Sequence, residues 1–381
     1  MKICYFSDFD LAGSGYLNLS MPLCRGLRKR NHEVNVVGLG YRGQEHYEDF
    51  AILPTNNIQE GLAILQNLYN LWGFDALVVA LDVPLQEALV STMQNRPFGY
   101  VGIMPIEADP LCMSWAMALM RMDKALIISK FGTEEANKLG VNAEYIPIGI
   151  DVAEWRFALP QEREKARQAM GFEPDEKIIL TVADNQERKN LVAGMDIFSK
   201  FIKKYPKSKY CLVTREHNFV GWRLRDYAQE IGINDKFMIY ERGIPFSDLW
   251  LLYIACDAFM LTSKTEGLGL PLLEAMAVGL PCVATNATGM RELLSDERGR
   301  LVGVKFVHRD PFGNGKRYWI DIKDGADKLI SVFEDKDRTA LCIGNAASFA
   351  QQSTWDKAID KLEDTLLAIG KNNEKETHKK A

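Results

Sequence analysis

No apolar run in this chain of 381 residues reaches the ~18 positions that a membrane-spanning helix requires. The N-terminal stretch meets Asp8 and Asp10 before any long apolar segment, so it reads as a buried first strand rather than a signal peptide. Cysteine pairs at metal or redox spacing are missing too. The seven cysteines, Cys4, Cys24, Cys112, Cys211, Cys256, Cys282 and Cys342, are scattered, odd in number and never arranged as C-x-x-C. Most sit among apolar neighbours, as buried free thiols do, which fits a reducing cytoplasm. No His/Cys cluster has ligand spacing, so neither a metal nor another cofactor is expected. Excess charge is small: 46 basic against 51 acidic residues leave a net charge of −5. A nonspecific nucleic-acid binder carries a basic surface, so nucleic acid is not the expected partner. No nucleophile elbow supports a Ser-His-Asp hydrolase. With 47% hydrophobic and 25% charged residues the composition is that of a globular protein, which excludes collagen-like, mucin-like and wholly disordered chains.

What is present is an alternation of short β-branched runs and amphipathic stretches. Lys2–Phe6, Glu33–Val37, Ala76–Ala80, Tyr100–Ile103, Ala125–Ile128 and Glu144–Ile146 read as strands, mostly with helices between them. Leu19, Leu23 and Leu27 mark the first helix, ending near Arg30. After a proline-containing linker at Pro147–Leu159 the rhythm restarts, with strands at Lys177–Val182, Lys209–Thr214, Phe237–Tyr240, Ala258–Leu261 and Pro281–Ala284. Strands separated by helices imply parallel pairing with right-handed crossovers. The expected fold is therefore α/β, with two doubly wound, Rossmann-like units: residues 1–150 and 151–354. A helix over 355–370 is expected to return to the first unit, followed by a flexible tail at 371–381. Lys305–Ile320 departs from the rhythm. It is basic and aromatic, Asn314-Gly315 is a strong hairpin signal, and the simplest expectation is a hairpin in solvent.

The most informative stretch is Thr262–Ala277, TSKTEGLGLPLLEAMA. Gly267 and Gly269 allow a tight turn and close approach of backbone to a ligand. Pro271 suits a helix start, and a helix start presents N–H groups and a positive dipole end to a phosphate. Glu266 falls on the loop and Glu274, eight positions later, in the first helical turn. A carboxylate accepts two hydroxyl hydrogen bonds, so the pair suits a polyol such as a sugar or a ribose. The competing reading makes Glu266 a surface acid and Glu274 a partner of the helix dipole. Elsewhere, Gly13-Ser14-Gly15 follows the first strand, but the third glycine of a dinucleotide fingerprint would fall on Asn18, so an NAD site is not supported. Asp8-Phe9-Asp10 has the form D-x-D and reads as loop polarity.

The Thr262–Ala277 stretch resembles the E-x7-E segment of retaining GT-B glycosyltransferases, particularly glycosyltransferase family four. The likeness continues in Asn31-His32-Glu33-Val34, in Ile146–Asp151 (IPIGID), in Gly243–Ser263 and in Gly289-Met290-Arg291-Glu292-Leu293. The resemblance implies two units facing across a cleft. It implies that Glu266 binds donor-sugar hydroxyls and Glu274 the ribose, with the backbone at Gly267, Leu268 and Gly269 on the sugar or diphosphate. Gly243 and Ile244 would lie by the base, and Gly13, Ser14 and Gly15 by the diphosphate and acceptor. Lys189 matches the family's phosphate-clamp lysine. Asp184 stands where family members commonly carry arginine, and Arg188 is the substitute cation. Arg215 could lie near phosphate or base. Many relatives carry a histidine after a middle strand of the first domain. Here that segment is Gly102–Pro110 without one, so Glu107 and Asp109 become candidates for the contact to sugar or acceptor.

The implied activity is transfer of a hexosyl group from a nucleotide-sugar to an acceptor hydroxyl, retaining configuration and without a bound metal. The resemblance also admits a nucleotide-sugar epimerase or hydrolase, and a noncatalytic accessory subunit. The base, the sugar, the acceptor and the oligomeric state are left open, as is a peripheral membrane contact of a cytoplasmic protein.

Overall fold

The computed structural model describes residues 1–11 and 15–380, with side chains described up to Lys371; Gly13 and Ser14 lie outside the described residues. The chain divides into two compact units. The first comprises Met1–Gly149, Pro311–Gly315 and Thr354–Ala381, and the second Ile150–Asp310 and Lys316–Ser353.

In the first unit the strands are β1 (Lys2–Asp8), β2 (Glu33–Leu39), β3 (Ala51–Thr55), β4 (Ala76–Ala80), β5 (Gly99–Met104), β6 (Lys124–Ile127) and β7 (Ala143–Tyr145). Between them run α1 (Gly15–Lys29), α2 (Ile58–Trp72), α3 (Val83–Thr92), α4 (Met113–Leu119) and α5 (Lys130–Lys138). The sheet order is β3-β2-β1-β4-β5-β6-β7, all parallel. Helices on such a sheet cover both faces, which is why β4 and β5 are buried along their whole length. The sequence pattern missed β3, whose Pro54 and Thr55 break the apolar run that marks the other strands. It sits at the sheet edge, where a proline is tolerated because one side of the strand needs no ladder.

The second unit repeats the plan. Its helices begin with α6 (Pro160–Ala169), α7 (Leu191–Phe201), α8 (Leu224–Glu230), α9 (Phe246–Ala255), α10 (Leu270–Ala277) and α11 (Thr288–Leu294). Its strands are β8 (Lys177–Val182), β9 (Ser208–Thr214), β10 (Phe237–Glu241), β11 (Ala258–Leu261), β12 (Cys282–Thr285) and β13 (Arg300–Val302), in the parallel order β10-β9-β8-β11-β12-β13. β13, three residues long and also an edge, carried no readable pattern. β8 and β11 are adjacent in the sheet although 75 residues of chain (183 to 257) separate them. The strand order reverses between them. The loops that follow them therefore leave from the switch point of the sheet, the place where doubly wound folds bind ligands.

The hairpin forms from β14 (Val304–Arg309) and β15 (Lys316–Ile320), antiparallel with a bulge between Val304 and Phe306. It is not a free solvent ribbon. Arg317 is buried and paired with Asp310, and Trp319 covers Lys264. The turn Pro311–Gly315 belongs to the first unit, where Phe312 meets Trp115 edge to face. The expectation of a hairpin in solvent holds for β14, which is mostly exposed, and not for β15, because alternating polarity does not reveal what a β-ribbon lies against.

Three helices end the chain: α12 (Ile322–Glu334), α13 (Lys336–Gln352) and α14 (Trp355–Lys380). α14 continues through residues expected to be a tail. It belongs to the first unit and packs on α1 and β5. Arg30 reaches both Asp360 and Glu363, and His32 Nε2 lies 2.8 Å from Glu363 Oε1. Among the described residues no helix is long and apolar enough to cross a membrane.

Gly149 lies where α14 begins: a Cβ there would stand 2.3 Å from the Trp355 nitrogen and 2.4 Å from the Thr354 carbonyl carbon. Backbone cannot step aside as a side chain can. Gly149→Ala is expected to lose about 1–3 kcal/mol in urea unfolding. Gly344→Ala, with nothing within 4 Å, is expected to be neutral or slightly stabilising.

Candidate functional site

The loops after β8 and β11 are joined through one carboxylate. β11 ends at Leu261, and the chain continues as a fully buried Thr262-Ser263-Lys264-Thr265 before Glu266. After β8 the chain passes Ala183–Gln186 and makes a 3-10 turn, Glu187–Lys189, ended by Asn190 at φ +52°. The left-handed residue redirects the chain into α7 and leaves Arg188 and Lys189 on the near side of the turn. Lys189 Nζ lies 2.7 and 2.9 Å from the two Glu266 oxygens, and Arg188 Nη1 donates to Oε2 at 3.0 Å. Ser263 Oγ donates to Oε1 at 2.6 Å. Burial acts to raise the pKa of Glu266, but Lys189 and Arg188 outweigh it and hold the carboxyl at about 2.

The structure thus brings Lys189, Arg188 and Glu266, three of the candidate residues of the sequence reading, into direct contact. It also adds three groups that this reading missed. Ser263 is local to Glu266 and could have been found. Thr288, whose Oγ1 accepts from Glu266 N at 3.0 Å, comes from the start of α11 and carried no signal. The third is Lys264. Its ammonium is completely buried, paired with Glu187 and 3.6 Å from the centre of the Trp319 ring. Its backbone N–H donates to Arg188 O at 2.9 Å, and its carbonyl accepts from Tyr318 N at 3.0 Å. Burial and then Arg317 push its pKa down to about 8, while Asp310 acts in the opposite direction. Lys264 therefore ties the turn, the loop and the hairpin together.

Gly267, Leu268 and Gly269 complete the loop. Gly269 has φ +101°, which excludes side chains with a Cβ without strain. The N–H groups of Gly267, Leu268 and Gly269 donate to no acceptor among the described residues, so the start of α10 offers donors to an anion. Gly289 is packed under this loop: a Cβ there would come within 2.6 Å of Leu268 Cα.

Glu274 sits one turn further into the helix than its spacing implied, because α10 starts at Leu270 and its first turn holds no acid. Its Oε2 accepts from Tyr253 OH at 2.8 Å. Burial raises its pKa to about 7, with the Tyr253 bond acting the other way. Two carboxylates eight residues apart thus differ sharply in charge state, because one has cations and the other only a phenol.

Asp184, the residue standing in the usual arginine position, is bonded by Arg215 through Nε at 2.7 Å and Nη2 at 2.5 Å. Its pKa is lowered: burial opposes this, and Arg215 and Arg242 prevail. A cation is thus brought back beside this position from the loop after β9. Gly243, at φ +85°, and Ile244 lie after β10, exposed and half-buried respectively. Glu107 and Asp109 lie in the first unit, both half-buried, in the segment between β5 and α4. Gly15 opens α1. Asp8 Oδ1 accepts from Asp10 N at 2.9 Å, a local loop bond. No group of three or more His, Cys, Asp or Glu that could hold a metal occurs among the described residues.

The raised pKa of Glu274 has a stability consequence. Between its ordinary value of 4.5 and about 7 the unfolded chain ionises while the folded protein keeps the proton, so stability falls as pH rises through that window. Glu274→Gln keeps an acceptor for Tyr253 and removes the titration. The variant is expected to melt higher than the parent at pH 8 and close to it at pH 4.5. Equal melting curves at both pH values would contradict the raised pKa.

Residues 162–311 match the family described as Glycosyl transferases group 1. An alpha-monoglucosyldiacylglycerol synthase of Streptococcus pneumoniae is 31% identical over 162 residues, 42% of this chain and 36% of that protein. A lipopolysaccharide core biosynthesis mannosyltransferase of Rhizobium meliloti is 26% identical over 261 residues, 67% of each chain. The chain spans between about a third and two thirds of the length of these curated relatives. Among solved structures, a sucrose-phosphate synthase from Thermosynechococcus elongatus superposes with a TM-score of 0.77 at 16% identity, covering 97% of this chain and 99% of its own. An Anabaena protein solved with UDP-glucose gives 0.76 at 16% identity, covering 97% and 100%. At that identity the likeness speaks for the fold. The likeness to glycosyl transferases group 1 covers residues 162–311, and the two parallel-sheet units have the GT-B type of fold.

Proposed function

We propose that the protein is a retaining glycosyltransferase, moving a hexosyl group from a nucleoside-diphosphate sugar to an acceptor hydroxyl without a resident metal. The observation that carries this reading is the cluster of Lys189, Arg188 and Glu266 beside the unbonded N–H groups of Gly267–Gly269. Such a cluster holds cations where a diphosphate leaving group gains charge and a carboxylate where sugar hydroxyls need an acceptor. Curated relatives named as an alpha-monoglucosyldiacylglycerol synthase and a mannosyltransferase support it, as does the UDP-glucose held by the Anabaena neighbour.

In this reading the bond from the anomeric carbon to the diphosphate breaks while the acceptor oxygen bonds on the same face. The diphosphate takes the acceptor's proton. Lys189 and Arg188 hold the departing diphosphate with the loop N–H groups, and Glu266 turns to the sugar. Arg215 beside Asp184 supplies a further cation next to the turn. Glu274 and Tyr253 together take the ribose hydroxyls, the carboxylate accepting and the phenol fixing its orientation. Glu107 and Asp109 act on the acceptor side.

Incubation with UDP-, GDP- and ADP-sugars, starting from UDP-glucose, is expected to show thermal stabilisation by one of them and slow nucleotide release without acceptor. Lys189→Ala is expected to lower kcat about 10²-fold with a small change in KM, because leaving-group charge peaks in the transition state. Glu274→Ala is expected to act mainly on nucleotide affinity. Conversion of the sugar without acceptor would indicate an epimerase, and unaltered turnover in both variants would remove the site assignment.

A further inference from the structure

A second cavity lies in the C-terminal unit, at the other end of its strands. It measures about 330 Å³ and is lined by Arg163, Arg167, Lys177 and Asp257 with an apolar wall that includes Ile254, Phe333 and Ile343. Lys177 opens β8 and Asp257 immediately precedes β11. The donor-loop residues described above follow the carboxyl ends of the same two strands, so the two places are distinct.

The charges around the cavity do not balance. Asp257 is bonded by Arg167 Nη1 at 3.1 Å and by Ile178 N at 2.8 Å. Glu176 is taken by Lys209 at 3.2 Å, and Asp175, which interacts with Lys177 at longer range, by Lys207 at 2.6 Å. That leaves Arg163 and Lys177, neither within ion-pair distance of a carboxylate among the described residues. Arg163 donates only to carbonyls, Val278 O at 2.7 Å and Ile254 O at 3.3 Å, which keeps three of its five N–H groups for another acceptor. Lys177 Nζ lies 5.5 Å from the centre of the Phe333 ring, with no hydrogen-bond acceptor among the described residues. Behind the wall, the side-chain hydrogen bonds of the buried Arg300 among the described residues go to Thr339 Oγ1, Ser331 Oγ and Cys342 Sγ, at 3.2, 3.3 and 3.0 Å, and Thr339 itself lines the cavity. A guanidinium 4% exposed with only neutral partners is costly, and an anion nearby offsets that cost.

We propose that this cavity is a second ligand site that takes a small organic phosphate monoester. Arg163 and Lys177 would hold the phosphate, the former through its planar fork, the latter as a point charge. The wall of Phe333, Ile254 and Ile343 would cover a ring-sized uncharged part, in keeping with pockets that are mostly apolar with a few convergent polar groups. This reading goes beyond the transferase proposal and stands or falls separately from it.

The test is calorimetric titration of the full chain with phenyl phosphate, inorganic phosphate and benzyl alcohol. Phenyl phosphate is expected to bind more tightly than inorganic phosphate, and benzyl alcohol not to bind. Lys177→Met, a change at a half-exposed position that leaves the fold intact, is expected to weaken phenyl phosphate at least tenfold. Arg163→Met should do the same. Lys189→Ala should leave the affinity unchanged. No binding of phenyl phosphate would overturn the proposal, as would equal affinity for inorganic phosphate, equal affinity in Lys177→Met, or loss of binding in Lys189→Ala.

Discussion

The buried carboxylate of Glu266 is the constraint on which the arrangement of the loops after β8 and β11 depends. A carboxylate in this position is tolerated only with full compensation, and Lys189, Arg188 and Ser263 supply it. Two of these come from the loop after β8 and one from the loop after β11. The carboxylate therefore has a structural part of its own. It fixes two loops against each other that only the strand order brings together. Asn190 in the left-handed region and the Lys264 N–H bonded to Arg188 O hold the same arrangement from the backbone side.

Charge balance explains the other departures in the same way. Asp184 stands where the resemblance led us to expect a cation, yet Arg215 grips it in a bidentate pair and places a guanidinium beside it. Lys264 is buried, yet Glu187 and the face of Trp319 receive its ammonium. Glu274 has no cation and keeps its proton to about pH 7 instead. Three ionisable groups, Lys264 buried and Asp184 and Glu274 half-buried, meet three different solutions within one unit. Each follows from what the neighbouring loop presents, not from the residue itself.

Much of this was legible in one dimension. Parallel strands buried on both faces must be continuous apolar runs, so β1, β4, β8 and β11 announced themselves, and the helices between them forced the crossovers. The glycines of Thr262–Ala277 were legible because a tight turn beside a helix start needs them, and the two glutamates through their resemblance to the E-x7-E segment. Edge strands were not legible. β3 is interrupted by Pro54 and β13 has only three residues, and an edge needs no two-sided apolar pattern. Nor was the hairpin's role: its turn residues are local, but the surface it covers is not.

The amino-acid sequence by itself determined the two repeated α/β units, the positive-φ turn at Gly269 and the presence of an acid–glycine loop followed by a helix, because these rest on local propensity and periodicity. Only the tertiary structure decided which charges meet. Glu266 is 77 residues from Lys189, Lys264 77 from Glu187, and Asp184 31 from Arg215. Coulomb energy depends on distance in space, and that distance is set by sheet order, which places β8 beside β11 and leaves no trace in the spacing of the residues themselves.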